Sequence, residues 1–339
     1  MVSALFGAME SGLIYAVMAL GVYLTFRILD FPDLTVDGSF VTGGAVTSVM
    51  IVSGISPVLA TIAGGAAGFL AGCVTGLLHT KGKINSLLAG ILMMIALYSI
   101  NLRIMGRPNI PLLNETTALN QGRSLWDAMQ LDSILSSPFK AMGLSSFLPT
   151  SFFILVSIGI VVIIVKKALD WFLHTDNGLA LRATGDNAKM VKSFSANTSN
   201  YVIFGLGLSN ALVAFSGSLI VQYNGFADVG LGIGMIIVGL ASVIIGEGIF
   251  GKKSIARTTL AVVLGAIVYR VILAVAMQLE FVKASDLKLI TAIIVTGALV
   301  LPNMWSSWRE RSERMKKQKA MQQSLDEERR NEVATAQTD

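Results

Sequence analysis

Two ionisable residues stand alone inside long apolar runs: Glu10 in GAMESGLIY and Arg270 in AIVYRVILAVA. A charge inside a bilayer is costly and calls for a named partner. At 1.5 Å per residue, Glu10 lies about 8 Å into its run and Arg270 about 13 Å from the far end of its own. Similar depths leave two arrangements open. The residues neutralise each other, or Arg270 receives a carboxylate and Glu10 an ammonium, as would suit an amino acid in transit. A second polar island, FPDLTVDGSF at 31–40, sits between two apolar runs. Asp37 precedes Gly38 and Ser39 and is placed to cap the next helix, where free N–H groups and the helix dipole favour a carboxylate. It is equally placed, with Ser39, to gate a pathway. Pro32 ends the preceding helix. Asn85, Asn101, Asn210 and Gln222 are further polar candidates, although a lone amide in a span commonly bonds a neighbouring helix.

The elements that hold these residues must be membrane helices. The 339 residues are 53% hydrophobic and 14% charged, with mean hydropathy +0.69; a soluble domain carries about a quarter charged residues. Uncharged runs repeatedly approach the roughly 20 residues that cross a bilayer. The expected fold is all-α and polytopic, with about nine spans: Leu5–Phe26, Phe40–Val52, Pro57–Leu78, Ile84–Arg103, Phe152–Leu173, Tyr201–Tyr223, Leu231–Phe250, Thr258–Leu279 and Leu287–Pro302. The short second span reads as broken or partly re-entrant, which requires protein or water around its backbone. Cys73 is the one cysteine and His79 and His174 the two histidines. They form no metal-ligand cluster and no intramolecular disulfide. The N-terminus lacks the basic region of a signal peptide, so the first helix is expected in the mature protein.

Basic residues set an orientation. Lys81 and Lys83, then Lys166, Lys167, Arg182, Lys189 and Lys192, then Lys252, Lys253 and Arg257, and the tail after Pro302, fall on one side of a nine-span chain. That side is expected to be cytoplasmic, with the N-terminus external. The transmembrane domain is expected over 1–303, with an external segment at 106–150, a cytoplasmic segment at 174–200 and a charged tail at 304–339. The external segment holds amphipathic RSLWDAMQLDSIL, with Leu125, Trp126, Met129 and Ile134 on one side. It suits either a membrane surface or a protein platform. Trp305 and Trp308 suit interfacial anchors. Spans one to four and six to nine read as two copies of one plan, the second inverted. Gly43, Gly44, Gly64, Gly65, Gly68, Gly72 and Gly76 form small-residue packing faces.

GLIYAVMALGVYLTFRILDFPDLTVDGSFVTGGA resembles the opening of permease subunits of ATP-binding-cassette importers of the branched-chain amino acid and ribose type. Gly38 and Phe40 match that family's break, and Asp37 and Ser39 depart from it. The departure, and INSLLAGILMMIALYSINLRIMGRPN, resemble a subgroup labelled tryptophan or tyrosine transport permeases. NGLALRATGDNAKMVKSFS at 177–195 resembles the family's coupling segment. The resemblance implies that Arg182, Asp186, Asn187, Lys189 and Lys192 meet an ATPase subunit; from the residues alone, Asp186 is placed to cap a short helix over Ala188–Ser195. The resemblance further implies a homodimer, separate ATPase subunits that carry ATP and Mg, an extracellular binding protein and a bacterial cytoplasmic membrane. It implies no nucleic-acid partner.

No Gly-x-x-x-x-Gly-Lys-Ser/Thr loop occurs, so the chain has no Walker site of its own. The leading expectation is a transport subunit, not an enzyme, for a small solute such as an amino acid. The alternative is an ion-coupled secondary transporter, for which Glu10 is the candidate acid. A membrane enzyme would need a convergent His, Asp, Glu or Cys cluster.

Overall fold

The computed structural model describes residues 2–130, 132, 151–193, 197–278, 289–293 and 295–297. The chain divides into two compact units, Met1–Ala292 and Ile293–Asp339. In the second, 293 and 295–297 are helical. The charged tail and half of the expected ninth span lie outside the described residues.

Among its described residues the first unit is almost wholly helical, with one short strand pair. Helix α1 (Val2–Tyr23) runs on as a π-helical turn, Leu24–Ile28. There follow α2 (Thr35–Val52), α3 (Pro57–Thr80) and α4 (Ser86–Met105), then strand β1 (Asn109–Pro111) and α5 (Ala118–Ala128). The second half holds α6 (Phe153–His174), α7 (Asp176–Ser193), α8 (Thr198–Asn224), β2 (Phe226–Asp228), a 3₁₀ turn at Val229–Gly232, α9 (Met235–Phe250) and α10 (Ile255–Ala276). Among the described residues, seven helices are long and apolar enough to cross a membrane. Helix α6 has the length as well, but carries Lys166, Lys167 and Asp170. Lys166 and Asp170 pair within the helix, and Thr259 of α10 donates to Asp170 at 2.6 Å. Asp170 is thus satisfied both within its own helix and from α10.

Helix ends follow local chemistry. Pro57 opens α3, where a missing N–H costs nothing. Asn85 accepts from Leu87 N and caps α4; Asn197 accepts from Ser199 N and caps α8. Gly106 and Gly225, both left-handed, end α4 and α8. Helix α2 begins five residues earlier than its apolar run, because Asp33 rather than Asp37 accepts from the Thr35 amide.

Helix α8 is the hub. Gly64, Gly68, Gly72 and Gly76 of α3 form one stripe, and a side chain at any of them would collide with α8. At Gly76 an added Cβ would lie 2.7 Å from the Ile203 Cα. From α2, Gly43 faces the Ala214 carbonyl, and Gly217 of α8 faces the Phe40 carbonyl. Such backbone-to-backbone approach is the means by which membrane helices associate when lipid is as apolar as their side chains. Helix α1 packs on α8 and on the α9–α10 pair. The antiparallel pair β1–β2 joins the two halves at one end, in register Ile110↔Ala227. Helix α5 is tied there too: Ala118 N donates to Gln222 Oε1, and Trp126 meets Phe153 edge-on.

Candidate functional site

The polar island at 31–40 folds into the bundle. The Phe31 amide closes the end of α1 by donating to the Thr25 carbonyl at 2.9 Å, and Asp30 takes a left-handed φ of 50° to turn the chain. The chain then re-enters. Asp33 is fully buried: one carboxylate oxygen accepts from Thr35 N at 2.9 Å, the other from Asn210 Nδ2 at 2.7 Å. Asn210 lies about 18 Å along α8 from its start, at 1.5 Å per residue. Thus α2 begins at depth, surrounded by protein, as broken backbone in a membrane requires. Thr35 and Thr75 hydroxyls meet at 2.8 Å and pin the same turn to α3.

Asp37 does not cap its own helix. Its carboxylate accepts from Gly234 N at 2.9 Å and Ile236 N at 2.8 Å, at the start of α9. Gly234, with φ 88°, has no side chain to cap α9 itself. Asp37 supplies the cap from another helix and meets the positive end of the α9 dipole. Ser39 is fully buried elsewhere on α2, with no hydrogen-bond partner for its hydroxyl among the described residues. Asn101 of α4 donates to the Gly38 carbonyl at 3.1 Å. Asn85, by contrast, lies at the exposed end of α4 as a cap.

Glu10 and Arg270 are not brought together as an ion pair. Glu10 accepts from the Tyr223 hydroxyl at 3.2 Å. The Arg270 guanidinium lies 3.6 Å from the centroid of the Tyr15 ring, a cation–π contact. Tyr15 in turn stacks on Phe40 of α2 at 5.9 Å. Equal depth left the angular position of each residue about the bundle undetermined, and each group instead meets a tyrosine.

The segment 176–193 is a helix broken at Asn187, whose φ of −153° and ψ of 85° are not helical. The Asn187 side chain accepts from Met190 N at 3.0 Å. Asn187, rather than Asp186, therefore caps the short second helix, and Asp186 is exposed. Lys189 and Lys192 project into the open, while Leu181 and Val191 are buried. Gly185 packs on the Ile28 carbonyl so closely that a Cβ there would overlap it. An open cleft of about 660 Å3 beside this contact is lined by Arg27, Asp30, Arg182 and Asp186. Arg27 also pairs with Glu247 at the end of α9, and Lys252 lies 3.8 Å from the same carboxylate.

A family described as the branched-chain amino acid transport system permease component matches residues 4–301. The chain belongs to this family. It is 41% identical over 302 residues to the tyrosine transport system permease protein of Clostridioides difficile (strain R20291), covering 89% of this chain and 92% of that one. It is 34% identical over 294 residues to an uncharacterized protein of Rickettsia prowazekii (strain Madrid E), covering 85% of this chain and 94% of that one. No solved structure matches significantly.

In this permease the candidates separate into three groups. Asp37 and Asn101 converge where α2, α4 and the turn before α9 meet, whereas Ser39, two residues on from Asp37, is buried on another face of α2. Arg182, Asp186, Asn187, Lys189 and Lys192 share α7. Glu10 and Arg270 each hold a tyrosine, Tyr223 of α8 and Tyr15 of α1 respectively. The residue that sequence reading passed over is Asp33. Its signal was present in the spacing Asp33-x-Thr35, an acid two residues ahead of a helix start. Glu247 and Arg27 were legible as charges at span ends, but not as a pair 220 residues apart.

Proposed function

We propose that this permease is the membrane-spanning subunit of an ATP-driven importer for an amino acid, working by alternating access, with α7 as the lever that an ATPase subunit moves. The contact of Gly185 with the Ile28 carbonyl carries the reading. It joins the lever, backbone to backbone, to the start of the re-entrant segment. Motion of Ala188–Ser193 passes through the helix before Asn187 to Ile28. From there the chain leads to Asp33, held on α8, and to Asp37, held on α9. A shift at one point thus displaces the starts of two spans, which is what switching between two packed states requires.

The charged face of α7 is cytoplasmic on this reading, and the membrane is the bacterial cytoplasmic membrane. ATP and Mg sit on the ATPase subunits, and two permease copies form the pathway. The end bearing β1, β2 and α5 faces an extracellular binding protein. The name of the Clostridioides difficile relative supports an aromatic amino acid as cargo.

The test is co-purification of the tagged permease with candidate ATPase subunits, followed by ATPase and uptake assays of the wild type against a Lys189→Glu, Lys192→Glu variant. Loss of ATPase binding or of coupled uptake in the variant is expected. Unaltered binding and uptake would remove α7 as the lever. A second reading, an ion-coupled carrier, draws support from Asp33, a buried carboxylate facing only neutral donors among the described residues. Uptake by the purified permease alone under an ion gradient would favour it.

A further inference from the structure

A cavity of about 420 Å3 opens beside Asp37, between α2, α4 and the Val229–Gly232 turn. Its walls are of two kinds. Val41, Met94, Ile95, Tyr98 and Ile233 supply apolar surface and one aromatic ring. Asp37, Ser99 and Asn101 supply the polar groups. Among the described residues, neither Lys nor Arg lines it.

Asn101 is the informative member. It is fully buried. Its amide orientation is fixed, because the Gly38 carbonyl can only accept and must therefore face the NH2 group. That leaves Oδ1 as the free atom, and it has no hydrogen-bond partner among the described residues. A buried acceptor left unmatched is destabilising, and a donor bound in the cavity that Asn101 lines would complete it. Asp37 stands at the same cavity. Each of its oxygens accepts one backbone N–H, and a carboxylate has lone pairs for more. The polar part of the cavity is thus rich in acceptors and poor in cations.

We propose that this cavity is a binding site on the transport path for the ammonium group and apolar or aromatic side chain of an amino acid, with Asn101 Oδ1 and the Asp37 carboxylate receiving the ammonium. The proposal rests on the permease reading above and adds a recognition rule to it. The amine is read, the side chain is packed against Met94, Ile95 and Tyr98, and the carboxylate is not read here. Three N–H donors of an ammonium match Asn101, Asp37 and the Ser99 hydroxyl.

The test uses full-length permease in nanodiscs carrying Cys73→Ser and Ile95→Cys, which leaves one thiol on the exposed rim of the cavity. The rate of its modification by a cationic methanethiosulfonate is measured with L-tyrosine, tyramine or 3-(4-hydroxyphenyl)propionate present. Tyrosine and tyramine are expected to slow the reaction, and the propionate, which lacks the amine, is not. Adding Asn101→Leu should raise the half-protecting amine concentration about tenfold, the effect of one hydrogen bond to a charged group. The comparison of amine with acid needs no change at Asn101, so it stands even where that variant fails to fold. No protection by either amine, or equal protection by the propionate, overturns the site. The same preparation is assayed for ATPase binding. ATPase binding without amine protection removes the site and leaves the importer reading intact; amine protection without ATPase binding does the reverse.

Discussion

Replacing Asp37 by alanine removes the acceptor for the Gly234 and Ile236 amides and leaves the start of α9 uncapped. A lost cap costs about 1 to 2 kcal/mol. The expected outcome is a lower Tm in detergent and reduced uptake, with Asp37→Asn closer to wild type, because an amide oxygen still accepts. An unchanged Tm for Asp37→Ala would deny the cap its role. Glu10 and Arg270 give a second residue-scale prediction. Each has its own aromatic partner, so Glu10→Gln and Arg270→Gln should act independently on stability. Their double-mutant coupling should fall below about 0.5 kcal/mol, and a larger value would show a direct pair. Sequence reading found these residues because charges are conspicuous in apolar runs. It left open what they touch, because depth is legible from rise per residue and rotation about the bundle is not. Asp33 and Asp37 show the same limit: both acids were visible, but which helix start each one serves depends on α8 and α9, some two hundred residues away.

At the scale of elements, the stripe Gly64, Gly68, Gly72 and Gly76 sets how closely α3 approaches α8. Gly68→Leu would drive a side chain into Ala214 and Asn210 and should abolish recovery of monodisperse protein. Gly248→Leu on α9, where nothing lies within 4 Å of an added Cβ, should leave the elution profile unchanged. Equal behaviour of the two would mean that the α3–α8 packing does not limit folding. The spans themselves were largely legible: Pro57 opens α3 as expected, and α8 to α10 fall within a few residues of their apolar runs. Hydrophobicity over a membrane's thickness is a strong constraint. Helix α2 was read five residues short, because its first turn is polar and its burial comes from the re-entrant turn rather than from lipid. The break in α7 was legible in Asp186–Asn187, but adjacent capping residues compete, and the non-helical backbone at Asn187 decides between them.

At the scale of the molecule, α7, the proposed lever, contacts the segment that leads to the starts of α2 and α9, so that these form one connected path. Arg27 and Glu247 close it by joining the ends of α1 and α9. The path runs through protein backbone at Gly185 and Ile28, where no side chain can yield, so a small motion there is passed on rather than absorbed. The most direct test is therefore the ratio of amino acid taken up to ATP hydrolysed, measured for wild type and Gly185→Ala in the assembled transporter. An added Cβ at 185 collides with the Ile28 carbonyl and lies 2.9 Å from the Leu29 Cα. It leaves Lys189, Lys192 and the Asn187 cap in place. The account predicts that the ATPase still binds and still hydrolyses ATP while uptake per ATP falls sharply. An unchanged ratio in the variant would contradict it.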